Sequence, residues 1–516
     1  MKKLLFLLPL LFTLQLFAQT QPPATASADR IAEFQKRQKL LSNSLVDQIP
    51  FRSVGPTVFS GRVTDIAVSP KDPSHFYVAY ASGGLWKTEN NGTSFQPLFE
   101  DEIVMTLGDI AVNWDKNIIW AGTGENNSSR SSYAGVGMYK STDGGKTWAH
   151  KGLGESHHIG RIILHPTNPD VVWVAVLGHL YSPNEERGVY KTTDGGNTWK
   201  KVLYADEKSG AIDLMIDPSN PEVLYAATWH RERSAWNFVE AGKGSGIYKS
   251  LDGGENWELL SQGKSGFPTG EGVGRIGLTM YKKGTKTVLY AILDNYDRRP
   301  VEKKDKDDGL TKDDLREMSK TDFLKLNEKE IKAYLRGNNF PKKYTEKKII
   351  KMVKDDKITP FALVEYLEDA NSLLFDTPVK GAEIYRSDDE GKTWKKTHEN
   401  YLDNVYNSYG YYFGQIRVSP MDPDKIIFMG VPILISTDGG KTFKDINREN
   451  VHVDHHALWL NPKRDKHIIL GNDGGINISY DDGETWVKCN SPAVGQFYAV
   501  AVDMAKPYNI YGGLQD

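Results

Sequence analysis

Apolar positions along most of the chain come in runs of four to six residues, too short for helices, and each run ends in Gly, Pro, Asn or Asp. Runs of one kind recur as Thr64-Asp-Ile-Ala-Val68, Leu107-Gly-Asp-Ile-Ala-Val112, Ile159-Gly-Arg-Ile-Ile-Leu164, Ala211-Ile-Asp-Leu-Met-Ile216, Gly274-Arg-Ile-Gly-Leu278, Gly414-Gln-Ile-Arg-Val418 and Ala457-Leu-Trp-Leu460. A second kind follows a turn, as in Ile118-Ile-Trp-Ala-Gly122 and Val171-Val-Trp-Val-Ala175. A third carries Tyr before a basic residue, as in Gly137-Met-Tyr-Lys140, Gly188-Val-Tyr-Lys191 and Glu383-Ile-Tyr-Arg386, and a fourth resembles Trp199-Lys-Lys-Val-Leu-Tyr204. The pattern predicts four short strands per repeat.

Between the third and fourth strands lies an octapeptide: Ser/Thr, any residue, Asp, any residue, Gly, any residue, Thr/Ser, then Trp/Phe. Copies start at Thr88, Ser141, Thr192, Ser250, Ser387, Ser436 and Ser479. Two are worn, with Asn90 in the Asp position and Asn256 in the Thr position. Asp accepts hydrogen bonds from amides of its own turn, and Gly supplies the positive φ of the reversal. Asp143, Asp194, Asp252, Asp389, Asp438 and Asp481 are therefore read as structural turn residues. Most copies stand roughly 40 to 60 residues apart, the period of a propeller. The expected fold is all-β: a β-propeller of four-stranded blades, seven with the octapeptide and a partial eighth at Gln496–Val502 and Tyr508–Gly513, with a small helical insert.

The one long interval, from Ser250 to Ser387, contains a segment at 301–377 in which nearly half the residues are charged, against 25% for the whole chain. Its helical patterning marks an insert within blade five. At the other end, Lys2-Lys3, the apolar run Leu4 to Phe17 and the small Ala18 predict a signal peptide at 1–18 and export to the periplasm, cell surface or medium. A leader and short helix follow over 19–49, then the propeller over 50–516, C-terminally incomplete by this reading. No other stretch is long and apolar enough to span a bilayer. A net charge of −3 disfavours nucleic acid as a partner, and a single Cys489 allows no intrachain disulfide.

In a propeller whose strands run outward from the axis, the octapeptide turns share one face with the first-to-second-strand loops. The remaining loops share the other face, and they hold the unusual chemistry. They include Gly124-Glu-Asn-Asn-Ser-Ser129, Glu155-Ser-His-His158, His179 to Glu186, Trp229 to Trp236, Tyr401 to Phe413 and Val451-His-Val-Asp-His-His456. Loops held by a rigid frame are where binding residues concentrate. The expected ligand-binding set is His157, His158, Arg161, His179, Trp229, Arg231, Trp236, Tyr411, His452, His455 and His456. The carboxylates to test for catalysis are Glu125, Asp454 and Asp473. The histidines show no HExxH-like helical spacing, and neither a metal nor a cofactor is expected.

The octapeptide resembles the Asp-box of sialidases, of the sortilin ectodomain and of BNR-repeat proteins. Gly61-Arg-Val-Thr-Asp-Ile-Ala-Val68, Ser82-Gly-Gly-Leu-Trp-Lys87, His157-His-Ile-Gly-Arg161, Gly471-Asn-Asp-Gly-Gly475 and Tyr511-Gly-Gly-Leu-Gln-Asp516 are similar to exported bacterial sortilin-type BNR-repeat proteins, often labelled glycosyl hydrolases. That resemblance implies fold and export, and a sequence running past Gly-Gly-Leu-Gln-Asp. Two enzymatic patterns are not met. Sialidases carry an Arg-Ile-Pro segment where this chain has Phe51-Arg-Ser-Val-Gly-Pro56, and xyloglucanases place an Asp where it has Ala81. Three readings remain open: a propeller binding a peptide, protein or glycan on the face opposite the Asp-boxes, a secreted glycoside hydrolase, or an envelope scaffold. Oligomeric state is not legible.

Overall fold

Four short strands per repeat, each joined to the next by a turn, can pair only with their immediate neighbours, and the protein forms seven four-stranded antiparallel sheets in chain order. The computed structural model describes residues 23–46, 48–49, 53–56, 61–129, 132–234, 237–300, 309–367, 379–489 and 492–514. The signal-peptide segment and Trp236 lie outside the described residues.

Blade three shows the plan, with strands Ile159–Leu164, Val172–Val176, Gly188–Thr192 and Lys200–Leu203 running outward from the axis. The innermost strands of the seven blades are Val63–Val68, Leu107–Asn113, Ile159–Leu164, Ser209–Asp217, Val273–Lys283, Gln415–Val418 and His455–Leu460. Each touches the next, and that of blade seven touches that of blade one, so the ring closes at seven. Among the described residues no sheet borrows a strand from the other end of the chain, and Val63, Phe76, Val78 and Tyr80 pack against Ala457, Ile469 and Ile476 where the ring closes. The predicted eighth repeat is a separate hairpin, Phe497–Val502 with Ile510–Leu514, whose apolar side chains are largely exposed.

Second strands are continuous apolar runs because both of their faces are covered by neighbouring blades, and every residue of Phe76–Tyr80 and Val172–Val176 is buried. Trp120 and Trp173 fill the space between blades and are fully buried.

The Asp-boxes close every turn from third to fourth strand. In blade two, Asp143 Oδ1 accepts from the Lys146 and Thr147 amides (3.0 Å each), while Thr147 Oγ1 donates to Oδ2 (2.6 Å). Ser141 Oγ donates to Asp143 Oδ1 and accepts from Gly145 N (2.8 Å each). The Thr147 bonds, foremost, hold the Asp143 carboxyl down to about 2. The worn copies keep the pattern with amides: Asn256 Nδ2 donates to Asp252 Oδ2 (2.7 Å), and Asn90 Nδ2 donates to Ser94 Oγ (2.8 Å). Three closing indoles tie blades together, Trp148 Nε1 donating to Leu98 O, Trp199 Nε1 to Lys151 O and Trp486 Nε1 to Ile446 O, each in the preceding blade, while Trp257 and Trp394 donate within their own turns.

At the axis, the innermost strand would leave amides unpaired along its inner edge. Register shifts next to Asp65, Asp109 and Asp213 coincide with carboxylates that accept from the following blade. Asp65 Oδ2 accepts from Ile110 N (3.2 Å), Asp109 Oδ2 from Ile162 N (2.7 Å) and Asp213 Oδ2 from Leu278 N (2.9 Å). Arg161 then donates to Asp109, Asp213 and, across the axis, Gln415 Oε1 (3.1 Å), so the centre is filled by side chains.

The 301–377 segment sits between the second and third strands of blade five, Lys286–Arg298 and Val379–Ser387. Its described part holds helices Lys312–Glu317, Lys320–Phe323, Glu328–Gly337, Glu346–Lys354 and Ala362–Glu365. Thr311, Ser319, Asn327 and Thr345 cap the first four, and Leu315, Phe323, Ile331, Leu335, Ile349 and Val353 make a core of its own. Residues 1–52 form a separate unit whose helix spans Ser27–Ser42. No helix among the described residues is long and apolar enough to cross a membrane.

Asp109→Ala removes a carboxylate that is both the clasp on blade three and a partner of buried Arg161. We expect a loss of about 3 kcal/mol, at the lower end for a broken buried pair because Asp213 remains. Leu251→Ala, on an exposed Asp-box turn, should change stability by less than about 0.5 kcal/mol. Urea unfolding followed by tryptophan fluorescence compares the two; equal effects would remove the clasp from the account.

Candidate functional site

Antiparallel order within each blade places all Asp-box turns at one end of the barrel of blades and the second-to-third-strand and blade-to-blade loops at the other. The side-chain contacts confirm that the latter loops converge. Gly124 to Ser129 of blade two is polar throughout yet wholly buried, because it lies across the mouth of the axis and is held by almost every other blade.

Arg62 of blade one donates through Nε to Glu125 Oε1, with Asp473 Oδ2 of blade seven 3.7 Å from its Nη1. Asn126 Nδ2 donates to Gly108 O (3.0 Å). Arg231 Nη1 of blade four donates to Asn127 O (2.7 Å), and Arg233 Nη1 donates to Ser128 O. Ser128 Oγ donates to Glu240 Oε1 (2.8 Å), and the Tyr412 hydroxyl of the blade-six loop donates to Ser129. Gly124 has φ 85°, and a Cβ there would stand 1.7 Å from His157 O, so only glycine lets the loop turn inward. The result is a plug held by hydrogen bonds and ion pairs drawn from blades one, four, six and seven, with Glu125 Oε2 buried without a hydrogen bond of its own.

Charge is managed accordingly. Burial would strip the Arg62 proton, but Glu125 and Asp473 outweigh it and hold the guanidinium charged. Burial also pushes Asp473 upward, and His456, whose Nε2 lies 2.8 Å from Asp473 Oδ1, together with Arg62 brings it below the ordinary carboxylate range. Glu240 goes the other way: burial lifts it to about 8 against the pull of Ser128 and Arg233. Asp294, buried in the adjoining blade, is lifted to about 7.

The expected binding residues divide sharply. Trp229 is fully buried, with Nε1 donating to Glu240 O (2.9 Å) and both Arg231 and Arg275 over its ring. It packs as a core residue, where the sequence placed it in the expected binding set. Arg231, Tyr411, His158, His455 and His456 are likewise sealed in, and burial takes His455 down to about 3. Of these, Arg231 and His158 hydrogen-bond the plug directly, and His455 Nε2 lies 2.7 Å from Asn447 Oδ1. Arg161 belongs to the axis below. Asp454 is half-buried with φ 64°, and its carbonyl accepts from Asp473 N (3.1 Å). His452 remains partly accessible, while His157 and His179 stack at 3.7 Å in the loops of blade three.

Accessible apolar groups on this face are ones that sequence reasoning passed over. Tyr133 and Tyr181 are 53% and 48% exposed, and Met105, Val239, Tyr401 and Val453 join them on front loops. The available signal was an apolar residue inside an otherwise polar loop, such as Tyr133 after Ser131-Ser132.

A family model described as sortilin, neurotensin receptor 3, matches residues 137–333, and a BNR/Asp-box repeat model matches residues 385–396. The chain is thus a seven-bladed β-propeller with a sortilin match over part of its length and a BNR/Asp-box repeat match within it. It is similar to a probable oligoxyloglucan-reducing end-specific xyloglucanase of Neosartorya fischeri, 24% identical over 229 residues, which cover 41% of this chain and 25% of that one. The GH74 xyloglucanase of Xanthomonas campestris shares the fold with a TM-score of 0.54 at 12% identity, over 88% of this chain and 58% of that one. An ancestral GH74 enzyme does so with a TM-score of 0.51 at 15% identity, over 84% and 48%. The chain therefore spans about a quarter of the curated relative and about half of each solved structure.

The Glu240 carboxyl yields a pH prediction. Between its ordinary 4.5 and about 8, the folded chain keeps a proton that the unfolded chain has lost, so this group's stabilising contribution declines as pH rises through that window. Glu240→Gln, neutral throughout, lacks that component. Tm measured from pH 4 to 9 should move in favour of the variant, relative to wild type, as pH rises; a pH-independent difference contradicts the assignment.

Proposed function

We propose that this protein is an exported propeller that binds a peptide, protein or glycan on the face opposite its Asp-boxes, over the buried polar plug. The observation that carries the reading is the contrast between the two layers of that face. Below, a hydrogen-bonded network involving Arg62, Glu125, Arg231, Arg233 and Tyr412 fixes the loops. Above, Tyr133 and Tyr181 stand exposed on those loops, and aromatic side chains presented on a preorganised frame lower the entropy cost of capture. The sortilin match, described as a receptor, supports a peptide or protein ligand, and the xyloglucanase relatives support a glycan.

Glycoside hydrolysis is the second reading, favoured by those relatives. It ordinarily needs two carboxyls flanking the scissile bond. Glu125 and Asp473 instead share the buried guanidinium of Arg62, which leaves no room for a sugar between them unless the plug opens.

The test is a screen of the full chain against xyloglucan oligosaccharides, other glycans and a peptide library, followed by titration of any hit. Tyr133→Ala or Tyr181→Ala should weaken binding about tenfold or more, equivalent to about 1.4 kcal/mol. Leu251→Ala on the Asp-box face should leave it unchanged. Binding indifferent to both tyrosines counts against the reading, and release of reducing ends from xyloglucan that is abolished by Asp473→Asn would replace it with the hydrolase.

A further inference from the structure

Two loops of blade three meet beside the plug and bring together three ligand-type side chains. The first follows the fourth strand of blade two: Gly154–Ser156 makes a single 3-10 turn, and His157 then adopts φ 52° and ψ −38°. The His158 amide donates to Ser156 O at 2.5 Å, closing a γ-turn around His157. That conformation is costly for any residue with a Cβ, and it is clamped by Gly135 N donating to His157 O (2.6 Å) and by His158 Nδ1 at 2.7 Å from Glu125 O. The second loop leaves the second strand of blade three at Leu177 and carries His179. Its backbone is tied by His179 N donating to Asn184 Oδ1 (2.9 Å) and by Arg187 Nη2 donating to His179 O (2.6 Å). Asn184 Nδ2 also donates to Glu155 O (3.0 Å), coupling the loops.

Between them, Glu155 Oε2 lies 3.4 Å from His179 Nε2 and 3.7 Å from His157 Nε2, and the three atoms all lie within 4.8 Å of one another. Imidazole and carboxylate bonds to zinc of about 2.0–2.2 Å place tetrahedral donors roughly 3.3–3.6 Å apart. The carboxylate oxygen is thus already near the required separation from both nitrogens. His179 is about nine-tenths buried, and its Nε2, sealed from solvent, has the Glu155 carboxylate at 3.4 Å as its neighbour. Its other nitrogen is 2.9 Å from Ser182 Oγ. With Nδ1–H donated to that hydroxyl, the Nε2 lone pair faces the cluster, the outer-sphere pairing that metal-bound histidines use. Glu155 is 38% exposed along its side chain and provides the way in from solvent.

We propose that Glu155, His157 and His179 form a binding site for a divalent first-row transition ion of the Zn(II) type. Two imidazoles and one carboxylate suit such an ion and are a poor set for Mg(II) or Ca(II), which take oxygen ligands. In this structure the imidazoles stack at 3.7 Å with 21° between their planes, so their Nε2 lone pairs run side by side. Binding splays the rings until both point at the ion. Three protein ligands leave a fourth position for water or for a donor atom brought by a ligand on this face.

The experiment uses the full chain stripped with a chelator, titrated with Zn(II) by calorimetry, with the metal content measured after dialysis. One equivalent should bind. His179→Gln and Glu155→Gln should each weaken it about 100-fold or more, since even outer-sphere partners are worth 10–100-fold. His165→Asn, in a turn at the opposite end of blade three, should bind as wild type does. An unchanged metal-free Tm shows that a variant is folded; should His179→Gln unfold, the partly exposed Glu155→Gln decides. Wild-type affinity in Glu155→Gln, or no uptake by the wild-type chain at about 100 μM Zn(II), overturns the site and leaves Glu155 as an ion-pair partner of the two histidines.

Discussion

The ring depends on one recurring contact: a carboxylate on the innermost strand of a blade accepting a hydrogen bond from the backbone of the next. An innermost strand is an edge strand, with amides that no sheet partner reaches. Asp65, Asp109 and Asp213 reach Ile110, Ile162 and Leu278, and between blades five and six Thr279 Oγ1 does the same for Val418 N (3.2 Å). Gathering acids at an axis is costly unless cations lie among them. Burial works against the Arg161 charge, but Asp109, Asp213 and Asp65 outweigh it and keep the guanidinium protonated. The centre of the propeller is consequently a charged core surrounded by seven apolar ones.

That centre determines what the two ends can be. On the Asp-box end the turns are held largely by their own Asp, Ser/Thr and Gly, with links between blades such as the indole N–H of Trp148 or Trp199 passed to the preceding blade and the Trp173 indole donating to Gly253 O of the following one. On the other end the loops are longer, and the one from blade two drops into the mouth of the axis as a fully buried polar segment. Its partners are arginines and acids from distant blades, so the loops are rigid only when the whole ring is closed. What remains outside the plug is the exposed tyrosines, His452, and the Glu155, His157 and His179 cluster.

Repetition made the architecture legible. Local turn chemistry, four strands to a period, and Trp or Phe at a constant offset are encoded within about fifty residues and need no distant partner, so the four-stranded blades and their strand order could be read directly, whereas the closing of the ring at seven, with the eighth repeat left as a separate hairpin, could not. Even the worn copies were readable as turns, because an amide at Asn90 or Asn256 supplies a donor or acceptor at the same position. The division of loops between two ends also follows from strand order alone.

Burial within those loops was not legible, for a physical reason. Trp229, Arg231, Tyr411 and His455 have the composition of a binding surface, and a loop sequence carries no record of which neighbouring blade will cover it. Glu125 could be placed at the correct end of the ring but not beneath Arg62, whose position is some sixty residues away in the chain and one blade away in space. By itself the sequence determined the period, the turns and the sidedness, all of which arise from contacts between residues close in the chain. Only the closed ring decided which polar groups are desolvated together, because that depends on seven separate segments arriving at one axis.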